Sequence, residues 1–284
     1  MIRAWTARGR GAGPRPPDGT GRRAAACPTT GTGPEVREVL RELAAVGPFF
    51  DVPTGDTPPG GGFRPLTGLY ADPLGAYVDE VGRRLGGADA RVAASTAQLG
   101  IASRLWSLGL GCAALAGRVP DLAADRVWWR LPEAGPLELW LPEPAELQGE
   151  LPEAAVPGPL PRPAVGPLAG ALARTVLDRN LAELDAAASA RFALSPRILR
   201  GNAASALVGA LRVLLDRLPA PPHPPAPLVA ELLGEGGPLA GSGAFVHEEG
   251  LGVAFVRRSC CLYYRAPAGG GGLCGDCVLR TRRP

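Results

Sequence analysis

Apolar positions recur at helical spacing along several stretches of this chain. Val36, Val39, Leu40 and Leu43 lie three and four residues apart, after Pro34 and before Gly47, which predicts a short amphipathic helix. Asp72-Pro73 has the chemistry of an N-cap followed by a first-turn proline and predicts a helix ending near Arg84. The stretch from Asp89 to Leu115 is crowded with Ala, Ser and Gly. Small side chains let neighbouring helices approach closely, so this helix is expected at the centre of the body. Further helices are predicted from about Leu168 to Phe192, from Ser195-Pro196 through Asp216, and from Leu228 to Leu233.

A β-rich pattern replaces the helical one in Arg126–Arg130 and Leu137–Leu141, separated by Pro132-Glu133-Ala134-Gly135-Pro136, and again in Gly243–His247 and Leu251–Arg257 across Glu248-Glu249-Gly250. Each pair predicts a hairpin. Residues 48–67 read as a loop over a pocket, 142–165 as a surface linker and Pro219–Pro227 as a stiff connector. The expected fold class is α+β: a mostly helical body, 34–256, with small antiparallel hairpins and a cysteine-rich C-terminal segment, 257–284.

At 284 residues the chain can bury a substantial core, roughly 75% of its unfolded surface, so no covalent staple is needed. All thirty basic residues are arginine. With Gly, Ala and Pro abundant, this is the mark of GC-rich coding and not of a nucleic-acid partner, and none is expected. Residues 1–33 carry six Arg against Asp18, and 257–284 carry six against Asp276, a net +5 each, leaving the intervening chain at −7 of an overall +3. The first 33 residues, rich in Gly, Pro and Arg and holding Cys27, have no periodic apolar pattern and are expected to form a disordered basic tail. No window holds 18 uninterrupted apolar residues, and the N-terminal arginines precede no apolar core. The expectation is therefore no membrane span, no secretion signal and a cytoplasmic location.

Four of the six cysteines fall in the last 25 residues: Cys260 and Cys261 adjacent, then Cys274-Gly275-Asp276-Cys277. Without a secretion signal, such clustering favours metal ligation over disulfides. A C-x-x-C turn aims two thiolates at one metal. Adjacent side chains of an extended segment point apart, so Cys260 and Cys261 share a site only across a bend. A zinc ribbon repeats C-x-x-C, whereas a cluster of two irons offers two attachment points. The residues thus favour iron-sulfur, with a structural zinc module on an interaction protein as the alternative. Cys112, in a small-residue helix, is expected to be a buried apolar thiol.

The segment Arg257-Arg258-Ser259-Cys260-Cys261-Leu262-Tyr263-Tyr264-Arg265 followed by Cys274-Gly275-Asp276-Cys277 resembles the C-terminal signature of the FhuF-like siderophore-iron reductases. Upstream, Ser195-Pro196-Arg197-Ile198-Leu199-Arg200-Gly201-Asn202-Ala203-Ala204-Ser205-Ala206-Leu207 is similar to that family's segment S-x-R-x-L-W-G-N-x-A-S-A-L. The likeness extends from about residue 34 onward. It departs at Arg200, where tryptophan is common, at Val278, where proline is common, and in the Gly269–Gly272 run, which lengthens the loop between the cysteine pairs.

The resemblance implies a 2Fe-2S cluster on Cys260, Cys261, Cys274 and Cys277. It also implies one-electron reduction of a ferric siderophore of hydroxamate type, and an external electron donor such as a ferredoxin or flavoprotein, since the chain shows no nucleotide or flavin motif of its own. An iron-sulfur electron carrier without a siderophore substrate is the other reading. No catalytic side chain beyond the cluster is expected. Arg257, Arg258 and Arg265 are candidates to offset the cluster's charge from outside its ligand set, and Tyr263 and Tyr264 to shield it or simply to pack. The siderophore is expected to dock between the helical body and the cysteine loop.

Other candidates carry ordinary roles. His223 and His247 lack the spacing of a His-ligated cluster and are expected at the surface. Trp128, Trp129 and Trp140 are expected in sheet core, and Asn202 as a buried tie between helices. Gly270-x-Gly272-x-x-Gly275 matches a dinucleotide fingerprint in letters only, because it joins no strand to a helix.

Overall fold

Asp89 sets the start of the longest helix: its carboxylate accepts the backbone N–H groups of Arg91 and Val92 at 3.1 and 3.0 Å. In the computed structural model, which describes residues 35–133, 135–147, 165–218, 220–248, 252–269 and 271–280, this helix, α4, spans Ala90–Ala116 and ends at Gly117 in the left-handed conformation. It is buried on nearly every side, as the small-residue pattern predicted. A Cβ on Gly111 would lie 2.6 Å from Leu43 Cδ2, so the first helix, α1 (Val36–Leu43), packs where only hydrogen fits. Cys112 is fully buried, and burial pushes its thiol pKa up.

The helices α2 (Leu66–Tyr70), α3 (Leu74–Arg84) and α4 are followed, after a small sheet, by a helical run built of α5 (Pro167–Ala173), a π-helical segment (Arg174–Leu181) and α6 (Ala182–Phe192). The wide turn falls where the run meets residues 120–124. Thr175 Oγ1 donates to the Pro120 carbonyl at 2.9 Å and accepts from Leu122 N at 2.8 Å, while Asn180 Nδ2 donates to the Leu122 carbonyl at 2.6 Å. α7 (Pro196–Arg217) packs along α4 more extensively than any other pair of elements, and α8 (Pro225–Leu233) covers α5 and α7.

α4 and α7 are both long and apolar enough to cross a membrane by length and composition, a property that a search for uninterrupted apolar runs does not register. Scattered arginines such as Arg104 and Arg212 interrupt the runs without lowering the mean hydropathy below that of a span. Within the fold, 72% and 61% of their most apolar windows are buried, because these helices form the central pair of the core.

Strands β1 (Arg64–Pro65), β2 (Trp128–Arg130) and β3 (Glu138–Trp140) form an antiparallel sheet in that order, with Trp128 opposite Trp140 and Trp129 opposite Leu139. The hairpin of β2 and β3 was expected; β1 and α2 were not, because a two-residue strand and a five-residue helix leave no period to detect. Trp129 and Trp140 are buried in sheet core, and Trp140 Nε1 donates to the Gly55 carbonyl at 3.0 Å. The loop 48–51 is held down by buried Arg104, which donates to the carbonyls of Pro48 and Asp51.

A second hairpin, β4 (Gly243–Glu248) with β5 (Gly252–Arg257), pairs Phe245 with Phe255 and is anchored by buried Phe255. The architecture is α+β, a helical body with two small antiparallel sheets.

Several expected boundaries move. Asp72 does not cap α3 but pairs with Arg191 at 3.1 Å, and Ser195 makes no side-chain cap although Pro196 opens α7. α8 begins at Pro225, three residues early. The expected linker is packed at its start, where Leu147 is buried and Pro120 bridges to Glu146. Residues 148–164 of that linker, the basic tail 1–33 with Cys27, Pro219 and the hairpin tip at Glu249-Gly250 lie outside the described residues.

Candidate metal centre

β5 delivers the chain to Arg257, and the four C-terminal cysteines follow in irregular backbone. Leu262, just after the vicinal pair, adopts a left-handed conformation (φ 69°) that a non-glycine residue rarely takes. This is the bend that adjacent thiols require. It also directs the Leu262 N–H to Cys260 Sγ at 3.3 Å. In the second pair, Cys277 N donates to the Cys274 carbonyl at 3.2 Å, closing the C-x-x-C turn, and Leu279 N donates to Cys277 Sγ at 3.4 Å. Backbone N–H groups aimed at sulfur stabilise thiolate charge.

The turns bring both halves together. Cys261 Sγ and Cys274 Sγ lie 3.4 Å apart: the contact with Cys274 lowers the Cys261 pKa to about 6, and the same contact, aided by burial, raises that of Cys274. Cys261 and Cys277 are buried, whereas Cys260 and Cys274 are partly exposed. Among the described residues no cluster of three or more metal-ligating side chains is already gathered around one point.

Arg257 supplies the charge. Its side chain is 1% exposed, yet no carboxylate pairs with it among the described residues. It donates instead to neutral acceptors, the Ser259 carbonyl at 2.8 Å, the Ile198 carbonyl at 3.3 Å and Asn202 Oδ1 at 2.8 Å. A buried guanidinium without a counter-ion is costly. Its field reaches Cys260, Cys261 and Cys274, in each case favouring the thiolate against desolvation. An anionic group with four thiolate ligands fits this site by donor chemistry and by charge.

Of the other two candidate arginines, Arg265 pairs with Asp89 at 3.1 Å and the Arg258 residue is exposed, so neither is held against the thiols as Arg257 is. Tyr264 is 40% exposed and Tyr263 half-buried; neither encloses the thiols fully. His223 and His247 are exposed, as expected.

The body grips the segment at points that sequence reasoning partly missed. Asn202 on α7 donates through Nδ2 to the carbonyl and the hydroxyl of Ser95 on α4, both at 3.0 Å, while its Oδ1 receives Arg257. It is the inter-helix tie expected and also a contact to the cysteine segment. Ser95 Oγ donates to the Cys261 carbonyl at 2.8 Å. Arg212 on α7 pairs with Asp276, inside the C-x-x-C turn, at 2.7 Å. Gly201 leaves no room for a side chain: a Cβ there would meet Ser259 Oγ at 2.2 Å and the Arg257 guanidinium at 2.8 Å. Ala268 N donates to the Leu85 carbonyl at 3.0 Å, fixing the lengthened loop to the turn after α3.

Residues 257–279 match the family model of the FhuF 2Fe-2S C-terminal domain. The cysteine segment is similar to that 2Fe-2S domain. Its cofactor is a 2Fe-2S cluster, which decides between the two metal chemistries that the cysteine spacing left open. Among curated proteins, none matches this chain. A cavity of about 610 Å³ beside α4, α7 and the residues that follow α1, and another of about 500 Å³ beside α6 and α7, include no residue of 257–279 in their walls. Neither is the expected dock between body and cysteine loop.

Proposed function

We propose that this protein is a cytoplasmic ferric-siderophore reductase in which Cys260, Cys261, Cys274 and Cys277 hold the 2Fe-2S cluster. The observation that carries the ligand assignment is the buried, carboxylate-free Arg257 lying against the four-thiol loop. When bound, the cluster supplies one electron at a time.

The chain's own residues hold that centre in place. Ser95, Asn202 and Arg212 tie the loop to α4 and α7, the backbone N–H groups of Leu262 and Leu279 take up thiolate charge, and Arg257 offsets the negative charge of the reduced state. The partial exposure of Cys260 and Cys274 supports electron exchange on that side, with both an external donor and a ferric complex. Ferric iron, small and highly charged, is held by hydroxamate oxygens far more tightly than ferrous iron, so one electron frees the metal without cutting the ligand. In this reading residues 34–256 are the scaffold and 257–284 the cluster-binding segment. Reduced thiols and an intracellular cluster suit the cytoplasm.

The test is an anaerobic visible and EPR spectrum of the purified protein before and after dithionite, followed by a ferric hydroxamate. Reoxidation of the reduced cluster by the ferric complex supports the reductase. A cluster that stays reduced points to an electron carrier. Cys274→Ser and Cys277→Ser are expected to lose the cluster, and retention of it by both would overturn the ligand assignment.

A further inference from the structure

Ser205 sits near the middle of α7 with its Oγ buried and without a hydrogen-bond partner. Helical serines usually satisfy the hydroxyl on the carbonyl one turn back, and Ser205 does not. A buried orphan hydroxyl is destabilising, and native folds retain few of them.

Its position says what faces it. Gly201, Ser205 and Arg212 lie on one stripe of α7, since a spacing of four residues turns about 40° and one of seven about −20° on a helix. Both ends of that stripe are covered by the cysteine segment. Gly201 abuts Ser259, the residue before Cys260, and Arg212 holds Asp276, between Cys274 and Cys277. Ser205 therefore lies beneath the stretch where the two cysteine pairs converge, roughly 6 Å along the axis from Gly201 and 10 Å from Arg212. The groups due to occupy that space, on the ligand assignment above, are sulfurs carrying negative charge.

We infer that the Ser205 hydroxyl donates a hydrogen bond to a sulfur of the 2Fe-2S centre, either a cysteine thiolate or a bridging sulfide, and sets its potential. A donor to sulfur stabilises the more negative, reduced state, so it raises the potential. Ser205 is the one side-chain hydroxyl on this stripe of α7 between the two covered ends. The inference rests on the four-cysteine reading.

The experiment is an EPR-monitored redox titration of the cluster-loaded full-length protein and of Ser205→Ala, Ser205→Thr and Ser205→Val. Held at the wild-type midpoint, Ser205→Ala is expected to show a reduced-to-oxidised ratio about tenfold lower, equivalent to a fall of about 59 mV for one electron. Threonine and valine have nearly the same shape, so this pair isolates the hydroxyl even if alanine packs badly: threonine is expected to keep the wild-type midpoint and valine to lose it. Equal potentials for threonine and valine would overturn the inference. A wild-type protein without a 2Fe-2S spectrum would instead overturn the cluster reading on which it rests.

Discussion

Arg212 and Asp276 form a 2.7 Å ion pair across 64 residues of sequence, joining the helix that runs beside α4 to the turn between Cys274 and Cys277. Asp276 is largely buried, and its backbone carbonyl also accepts the Arg257 N–H at 3.1 Å. The second cysteine pair is thus fixed to α7 and to the end of β5 together. Asp276→Asn keeps the shape and removes the charge. It is expected to loosen the turn by about 1–3 kcal/mol, seen as severalfold faster loss of the visible cluster absorbance on exposure to chelator. An unchanged decay rate would show the pair to be dispensable.

Gly201 tests how closely α7 must approach the segment. Gly201→Ala improves intrinsic helix propensity by about 1 kcal/mol, yet places a methyl group against Ser259 Oγ and the Arg257 guanidinium. Overpacking costs about 1–3 kcal/mol and is expected to win here, because Arg257 is fully enclosed. The measurement is iron and sulfide content per chain beside the far-UV circular dichroism signal. Cluster content should fall while helicity stays, and adding Ser259→Ala should restore part of it, since that removes the nearer of the two obstructing atoms.

Arg257→Met keeps much of the packing and deletes a buried charge next to a cluster that gains negative charge on reduction. The expected outcome is a lower midpoint potential by about 60 mV or more, a tenfold change for one electron, together with a less stable fold because Asn202 Oδ1 loses its donor. Arg258→Met, at an exposed position, is expected to move the potential far less. Equal shifts for the two would mean that distant, screened charge sets the potential.

Much of this was legible in the chain. The four cysteines announced themselves by spacing, and α1, α4 and α7 by their apolar period or small-residue content, because those signals are local. Asn202 stood out as a polar residue among apolar neighbours. Ser95, Arg212 and the need for glycine at 201 were hidden, since each depends on a partner more than 50 residues away and resembles an ordinary helix residue in its own window. The distinction among Arg257, Arg258 and Arg265 was likewise invisible: side by side or nearly so in sequence, they differ only in which way the end of β5 and the following turn point them.

Asp185 gives the fold a pH dependence independent of the cluster. Burial raises its pKa to about 7, opposed by the Gln98 side-chain amide, which donates to Oδ1 at 2.9 Å. Gln98 Oε1 is itself buried and unpartnered, and a protonated Asp185 offers the donor it lacks. The native pKa lies above the unfolded value of about 3.9, so the native state binds the extra proton between the two. Stability from this group is full below about pH 4 and is lost as pH rises through about 7. Asp185→Asn supplies a permanent N–H donor without the charge. At pH 8 it is expected to be more stable than wild type by roughly 1–3 kcal/mol, and urea denaturation from pH 5 to 8 should show a shallower decline for the variant. Parallel declines for the two proteins would place the cost of burying a charge elsewhere.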